Sequence, residues 1–108
     1  MSAVTTHVLD AARGRPAVGV PVRLVAADGE LLGTAVTDAD GRVRDLGPDA
    51  LAAGEYRLEL DTGAWFAAQD TPAFYPRVTI DFRITDPAAH HHVPLLLSPF
   101  AYSTYRGS

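Results

Sequence analysis

Four side chains in this sequence are imidazoles, the group whose ordinary range spans neutral pH: His7, in THVLD, and the run His90-His91-His92, in AHHHVPLLLSP. Imidazole can give or take a proton at such pH, and it is also the commonest metal ligand. A zinc site, however, needs three or four convergent ligands. Neighbouring residues on a strand project to opposite faces, so His91 and His92 are poorly placed to hold one ion together. Cysteine is absent, so there is neither a thiolate to complete a metal set nor a disulfide framework. No deliberate metal site is expected, and the plain reading of the run is an imidazole-rich loop. Arg42 follows a turn in DADGRV, where an arginine is ordinarily solvated. The chain closes on Tyr105, Arg106, Gly107 and Ser108. Tails usually fray, yet this one carries hydroxyls and a guanidinium. The sequence holds no nucleophile elbow, zinc-protease helix, phosphate loop or dinucleotide fingerprint.

The elements that must position these groups read as strands. Hydrophobic character recurs with period two nearly throughout, and no window sustains a helical period. In GEYRLELD, Tyr56, Leu58 and Leu60 share one face while Arg57 and Glu59 share the other. In RVTIDFRIT, Val78, Ile80, Phe82 and Ile84 alternate with Thr79, Asp81, Arg83 and Thr85, which gives one core face and one wet face. Asp28-Gly29 joins two strand-like runs and signals a type I′ hairpin. DTGAWFAAQD breaks the alternation, and Asp61 or Thr62 can cap a helix of two turns at most around Trp65, Phe66 and Ala67. Proline-bounded TPAFYPR reads as a loop. Seven or eight short strands at this spacing predict an antiparallel sandwich.

HVPLLLSP departs from the rest. Val93, Leu95 and Leu97 form one face and His92, Pro94, Leu96 and Ser98 the other, so both faces are largely apolar. A sandwich covers only one face of each sheet with its own core. The simplest cover for the second face is another subunit, which would put His92 at an interface.

The chain has 108 residues, which predicts one domain over 1–108. A net charge of −4, with no lysine and no basic cluster, argues against nucleic acid and anionic membranes as partners. MSAVTTHVLD has no basic, apolar leader pattern and no run is long enough to span a bilayer, so a cytoplasmic location is expected.

Three stretches, THVLDAARGRPAVGVPVRL, TDADGR and HVPLLLSPFAYSTYRGS, resemble the 5-hydroxyisourate hydrolases, also called transthyretin-like proteins, from Thr6 to Ser108. The closing YRGS is the most specific of these matches. The resemblance implies a transthyretin-like sandwich of two four-stranded sheets with one short helix, assembled as a homotetramer, a dimer of dimers with sites at the subunit interface. It implies hydrolysis of 5-hydroxyisourate to 2-oxo-4-hydroxy-4-carboxy-5-ureidoimidazoline, without a cofactor. The family's site residues fall on His7, Arg42, His92 and the tail Tyr105, Arg106, Gly107 and Ser108. His91 stands where the family commonly has tyrosine, on the strand face away from His92. His90 matches a frequent family histidine but is not expected to be catalytic. In that reaction His7 and His92 would be the general base and its proton-handling partner, in an order the sequence leaves open. Arg42 would hold the anionic substrate and the developing negative charge. Tyr105, Arg106, Gly107 and Ser108 would add hydrogen bonds and exclude water.

The alternative is a non-catalytic small-ligand carrier. Transthyretin shares the fold and the LLSP…YST wording, but has lysine, glutamate and threonine in place of His7, Arg42 and His92, and lacks YRGS. At each of these positions this sequence sides with the enzyme. A generic adhesion-type sandwich would require neither His92 on an apolar strand nor this ending.

Overall fold

The computed structural model describes residues 2–108. Nine strands are present: β1 (Val4–Asp10), β2 (Arg15–Pro16), β3 (Pro21–Ala26), β4 (Leu31–Val36), β5 (Arg42–Val43), β6 (Gly54–Leu60), β7 (Val78–Ile84), β8 (His91–Leu97) and β9 (Tyr102–Thr104). Helix α1 (Thr62–Ala67) lies between β6 and β7. One sheet runs β4-β3-β6-β7 and the other β2-β1-β8-β9. These are the two four-stranded layers that the resemblance implies, with β5 added to β1 in the second. The two short strands divide one edge of β1: β5 takes Thr6 and His7, and β2 takes Leu9 and Asp10.

Every pairing is antiparallel except one. Strands β1 and β8 run parallel, from Val4↔His91 to Asp10↔Leu97. The sandwich is antiparallel as expected, with this one pair as its exception. A hairpin forces its two strands antiparallel, but β1 and β8 are connected through the whole of the other sheet.

The alternation seen in the sequence becomes the core. Val8, Leu24, Leu58 and Leu95, one from each of four strands, are fully enclosed. Each such side chain contributes on the order of 2–3 kcal/mol through burial. In β7, Val78, Ile80 and Ile84 are buried while Thr79, Asp81 and Arg83 are exposed, as the sequence predicts.

Two local expectations change. The β3–β4 hairpin forms, but among the described non-glycine residues only Asp70 has positive φ, so Asp28 does not, and a type I′ turn needs it at both central positions. Instead the Gly29 amide donates to Ala26 O at 2.9 Å, and Gly29 itself takes φ +91°. This is a tight turn closed by a left-handed glycine, the usual three-residue solution. Helix α1 occurs where expected and is short, but Asp61 at its N-cap makes no side-chain capping bond. Its anchor is tertiary: Phe66 is buried and the Trp65 indole donates to Val18 O at 2.7 Å. Among the described residues no helix is long and apolar enough to cross a membrane.

Candidate active site

The parallel pairing of β1 with β8 builds the site. It sets Thr5 beside His92, His7 beside Pro94 and Leu9 beside Leu96, all on the outer face of the sheet. The β5 pairing adds Arg42 opposite His7. Val4, Thr6 and Val8 alternate inward and are buried. His91 also faces inward; it is 5% exposed and its Nδ1–H donates to Ala89 O at 3.0 Å.

Arg42 is positioned by the turn that precedes it. The Asp38 carboxylate accepts from the backbone amides of Asp40 (2.9 Å) and Arg42 (3.0 Å). The Arg42 amide is the largest reason that the Asp38 carboxyl titrates below its ordinary value. Gly41 is buried at φ +76°, and a Cβ there would strike the Val8 carbonyl, so only glycine lets the turn dock on β1. The Val8 amide in turn donates to Gly41 O at 2.7 Å.

The tail does not fray. The Gly107 amide donates to His92 O at 2.8 Å, forming an antiparallel bridge that continues the β8–β9 register beyond Thr104. Thr104 Oγ1 donates to Pro94 O at 2.7 Å. A Cβ on Gly107 would lie 2.5 Å from His92 Cδ2 and 3.1 Å from Pro94 Cγ. The last turn of chain therefore rests directly on the imidazole.

Electrostatically the face is unusual. Five salt bridges are present among the described residues, and Arg42 is in none of them although it is half-buried. His92 titrates below the ordinary histidine value, first because burial disfavours its cation, then because Arg42, His7 and His90 repel it. Its Nδ1 lies 2.8 Å from Thr5 Oγ1. No described protein group bonds its Nε2. His7 Nε2 lies 2.8 Å from Asp40 O. A carbonyl only accepts, so Nε2–H donates and the free lone pair of neutral His7 is at Nδ1.

Arg42, His92 and Ser108 line one hollow of about 270 Å³, together with Thr5, Arg44 and His90. His7 stands next to it through its pairing with Arg42 rather than in its wall. Tyr105 and Arg106 line a second hollow of about 290 Å³, bounded by β7 and reached by the other side of His92. His92 is thus the partition between the two, and Gly107 braces it. Among the described residues, no three His, Cys, Asp or Glu side chains are grouped as metal ligands.

Sequence reasoning missed Thr5 and set His90 aside. Thr5 Oγ1 is 2.9 Å from His90 Nε2 as well as 2.8 Å from His92 Nδ1. A signal was available, since period two places Thr5 on the same face as His7 and His90 on the same face as His92.

The sequence matches the HIUase/Transthyretin family over residues 4–107. It is 50% identical to a 5-hydroxyisourate hydrolase of Caulobacter vibrioides, with all of both chains covered. The fold superimposes on Klebsiella pneumoniae 5-hydroxyisourate hydrolase with a TM-score of 0.90, at 45% identity over 97% of this chain and 98% of that one. Transthyretin from Sparus aurata follows at 33% identity and TM-score 0.88, covering 99% of this chain and 97% of that one. The nearly equal TM-scores mean that backbone shape alone does not separate enzyme from transthyretin. The chain belongs to the HIUase/Transthyretin family.

Proposed function

We propose that this protein hydrolyses 5-hydroxyisourate to 2-oxo-4-hydroxy-4-carboxy-5-ureidoimidazoline, a step in urate degradation. The observation that carries this reading is an unpaired, half-buried guanidinium sharing one hollow with an imidazole that burial keeps neutral. A carrier for apolar ligands has no use for that pair. An amide hydrolase needs both, a base for water and a cation for the oxyanion.

His92 is the general base. Its Nδ1 is engaged by Thr5 and its Nε2 is free to face a water molecule. Water attacks the ring carbonyl as its proton passes to Nε2. The carbonyl oxygen takes up negative charge beside Arg42, and the ring nitrogen leaves with a proton. His7, tied by Nε2–H to Asp40 O, offers Nδ1 as an acceptor that orients substrate or water. Ser108 supplies hydrogen bonds within the Arg42 hollow, Tyr105 and Arg106 supply theirs from the hollow beyond His92, and Gly107 lets the tail approach His92.

The volume of about 270 Å³ falls just under the range of about 300–1,000 Å³ usual for small-molecule sites. In this reading a second subunit completes it, within a homotetramer built as a dimer of dimers. The support is the outer face itself, where Leu9 and Leu96, each only half-buried, flank His7 and Pro94.

The test is a spectrophotometric decay assay, with urate oxidase generating 5-hydroxyisourate in situ and the protein sized by sedimentation in the same buffer. A tetramer that accelerates decay, and loses about 10²-fold or more of that acceleration on His92→Ala, is expected. Decay at the spontaneous rate would sink the enzyme reading and favour the carrier.

A further inference from the structure

We propose that His90 and Thr5 form a proton relay behind His92, with His90 as the ring that stores the proton during turnover; the inference rests on the hydrolase reading above. His90 immediately precedes β8 and His92 is its second residue, and both imidazoles reach the same Thr5 hydroxyl. Thr5, from the parallel neighbour β1, inserts its hydroxyl between them, 2.9 Å from His90 Nε2 and 2.8 Å from His92 Nδ1. Thr5 is 5% exposed, and among the described residues these two imidazoles are its hydroxyl's only partners.

Proton counting gives the relay its direction. A hydroxyl has one proton, so it can donate to only one of the two facing nitrogens, and the other must donate to it. For His92 Nε2 to act as a base, the neutral ring must carry its proton on Nδ1. Then His92 Nδ1–H donates to Thr5, Thr5 donates to His90 Nε2, and neutral His90 holds its proton on Nδ1. The buried threonine thereby fixes the tautomer of both rings.

The surroundings supply the need. When His92 takes a proton from water it becomes a cation that is poorly solvated and faces Arg42 from β5, His7 from β1 and His90 just before β8. His90 is exposed. As Nε2 of His92 is protonated, its Nδ1 proton moves to Thr5 Oγ1 and the Thr5 proton moves to His90 Nε2. The positive charge then sits on a solvated ring, and His92 is neutral with a proton on Nε2. When that proton goes to the leaving ring nitrogen, the two transfers reverse and all three groups return to their starting state. One proton travels from water to the leaving group, and none is gained or lost by the protein. His90 is a positioning residue in this scheme; it touches no substrate atom.

The test combines His90→Ala, Thr5→Val and Thr5→Ser in the decay assay with imidazole ¹⁵N NMR of the resting protein. His90→Ala is expected to lower kcat about tenfold, short of the full worth of a proton-transfer group, with KM within about twofold. Added imidazole should restore part of that loss, and an equal ionic strength of sodium chloride should not. Thr5→Ser, which keeps the hydroxyl, should retain clearly more activity than Thr5→Val. Thr5→Val should resemble His90→Ala, gain nothing from imidazole, and lose nothing more when the two are combined. The NMR reading needs no turnover, so it stands even if the substrate is wrong: both rings should be the Nδ1–H tautomer, and Thr5→Val should release them. Full activity of His90→Ala, additive losses in the double variant, or an Nε2–H tautomer at His92 would each overturn the relay.

Discussion

The outer face of β4-β3-β6-β7 is a lattice of satisfied charges. Arg23 meets Glu59 at 2.7 Å, Arg57 meets Asp81 at 3.0 Å and Arg83 meets Glu55 at 3.5 Å. Each pair is a directly opposed cross-strand pair in the ladder. The outer face of β2-β1-β8-β9 follows the same pleat and the same rules of register, yet carries Thr5, His7, Leu9, His92, Pro94 and Leu96. Arg42 joins it without an acidic partner. One sheet pairs its strand arginines; in the other, among the described residues, neither the exposed Arg15 nor the half-buried Arg42 meets an acid, and Arg42 stands near His92, whose cation burial disfavours. An unpaired, half-buried charge is costly unless something binds it, so the contrast points to the second face as the one that meets an anionic ligand.

Pairing Arg42 off or removing it should therefore have the largest effect. Arg42→Gln loses the charge and the guanidinium fork and keeps a shorter polar amide. A drop of about 10²–10³ in kcat/KM is expected, the usual cost of an oxyanion-stabilising group. The pH profile separates this from simple damage. Arg42 is one of the charges holding the His92 titration below the ordinary histidine value, after burial itself. Wild-type activity should thus persist to below about pH 6.5, until the depressed His92 protonates. In Arg42→Gln the acid limb should move to higher pH, because the neighbouring cation no longer opposes protonation. Stability has a matching sign. Below about pH 6.5 the unfolded chain binds a proton at His92 that the folded chain resists, so stability falls as pH drops through that window. An unshifted acid limb in the variant would detach Arg42 from His92.

The tail sharpens the comparison, because only this sheet has a chain end resting on its reactive ring. In Gly107→Ala the new methyl would need the space of His92 Cδ2, 2.5 Å away. Either the ring turns, which disturbs the Thr5 bond, or the tail lifts, which breaks the bridge from Gly107 to His92 O. A displacement of this size at a catalytic group is expected to lower kcat about tenfold or more, while stability moves by less than about 1 kcal/mol, since no core side chain is involved. Measuring kcat beside a thermal melt distinguishes the two. An equally active variant would show that the tail is a passive neighbour.

How much of this was readable beforehand differs between the same two faces. The charged face follows from alternation alone: Arg57 and Glu59 oppose Tyr56, Leu58 and Leu60 by period two, and β7 repeats the pattern. The apolar second face of HVPLLLSP was likewise visible, and it put His92 on the outside. The site residues His7, Arg42 and the tail came from resemblance, because no local rule makes an arginine after a turn anything but solvated. The parallel β1–β8 pairing was not legible. Alternation assigns a residue to a face but names no partner strand, and paired residues of the two strands are 87 positions apart, as in Val4↔His91. Thr5 was lost for that reason. In VTTHV it is an ordinary strand former, and it becomes a network member only when it is known to stand beside His92.

The smallest effect is expected on the charged face, and it tests whether that lattice is more than solvation. Glu59 is the most enclosed acid of the three pairs, its side chain 22% exposed against 57% for Arg23. The Arg23 guanidinium reaches Glu59 Oε1 through both Nε (3.1 Å) and Nη2 (2.7 Å). Even so, an exposed arginine gains little from pairing in water, because Coulomb attraction is screened and two long side chains are immobilised. Glu59→Gln should cost about 0.5 kcal/mol, or roughly 2–4 °C in Tm for a chain of this length. High salt should shrink that difference, and kcat/KM should not change. A loss several-fold larger would mean that Glu59 is holding Arg23 over the neighbouring groove formed with Asp61 and Arg77. Then the two faces would differ in ligand and not in kind, and the rule that unpaired charge marks the working sheet would have to be given up for this molecule.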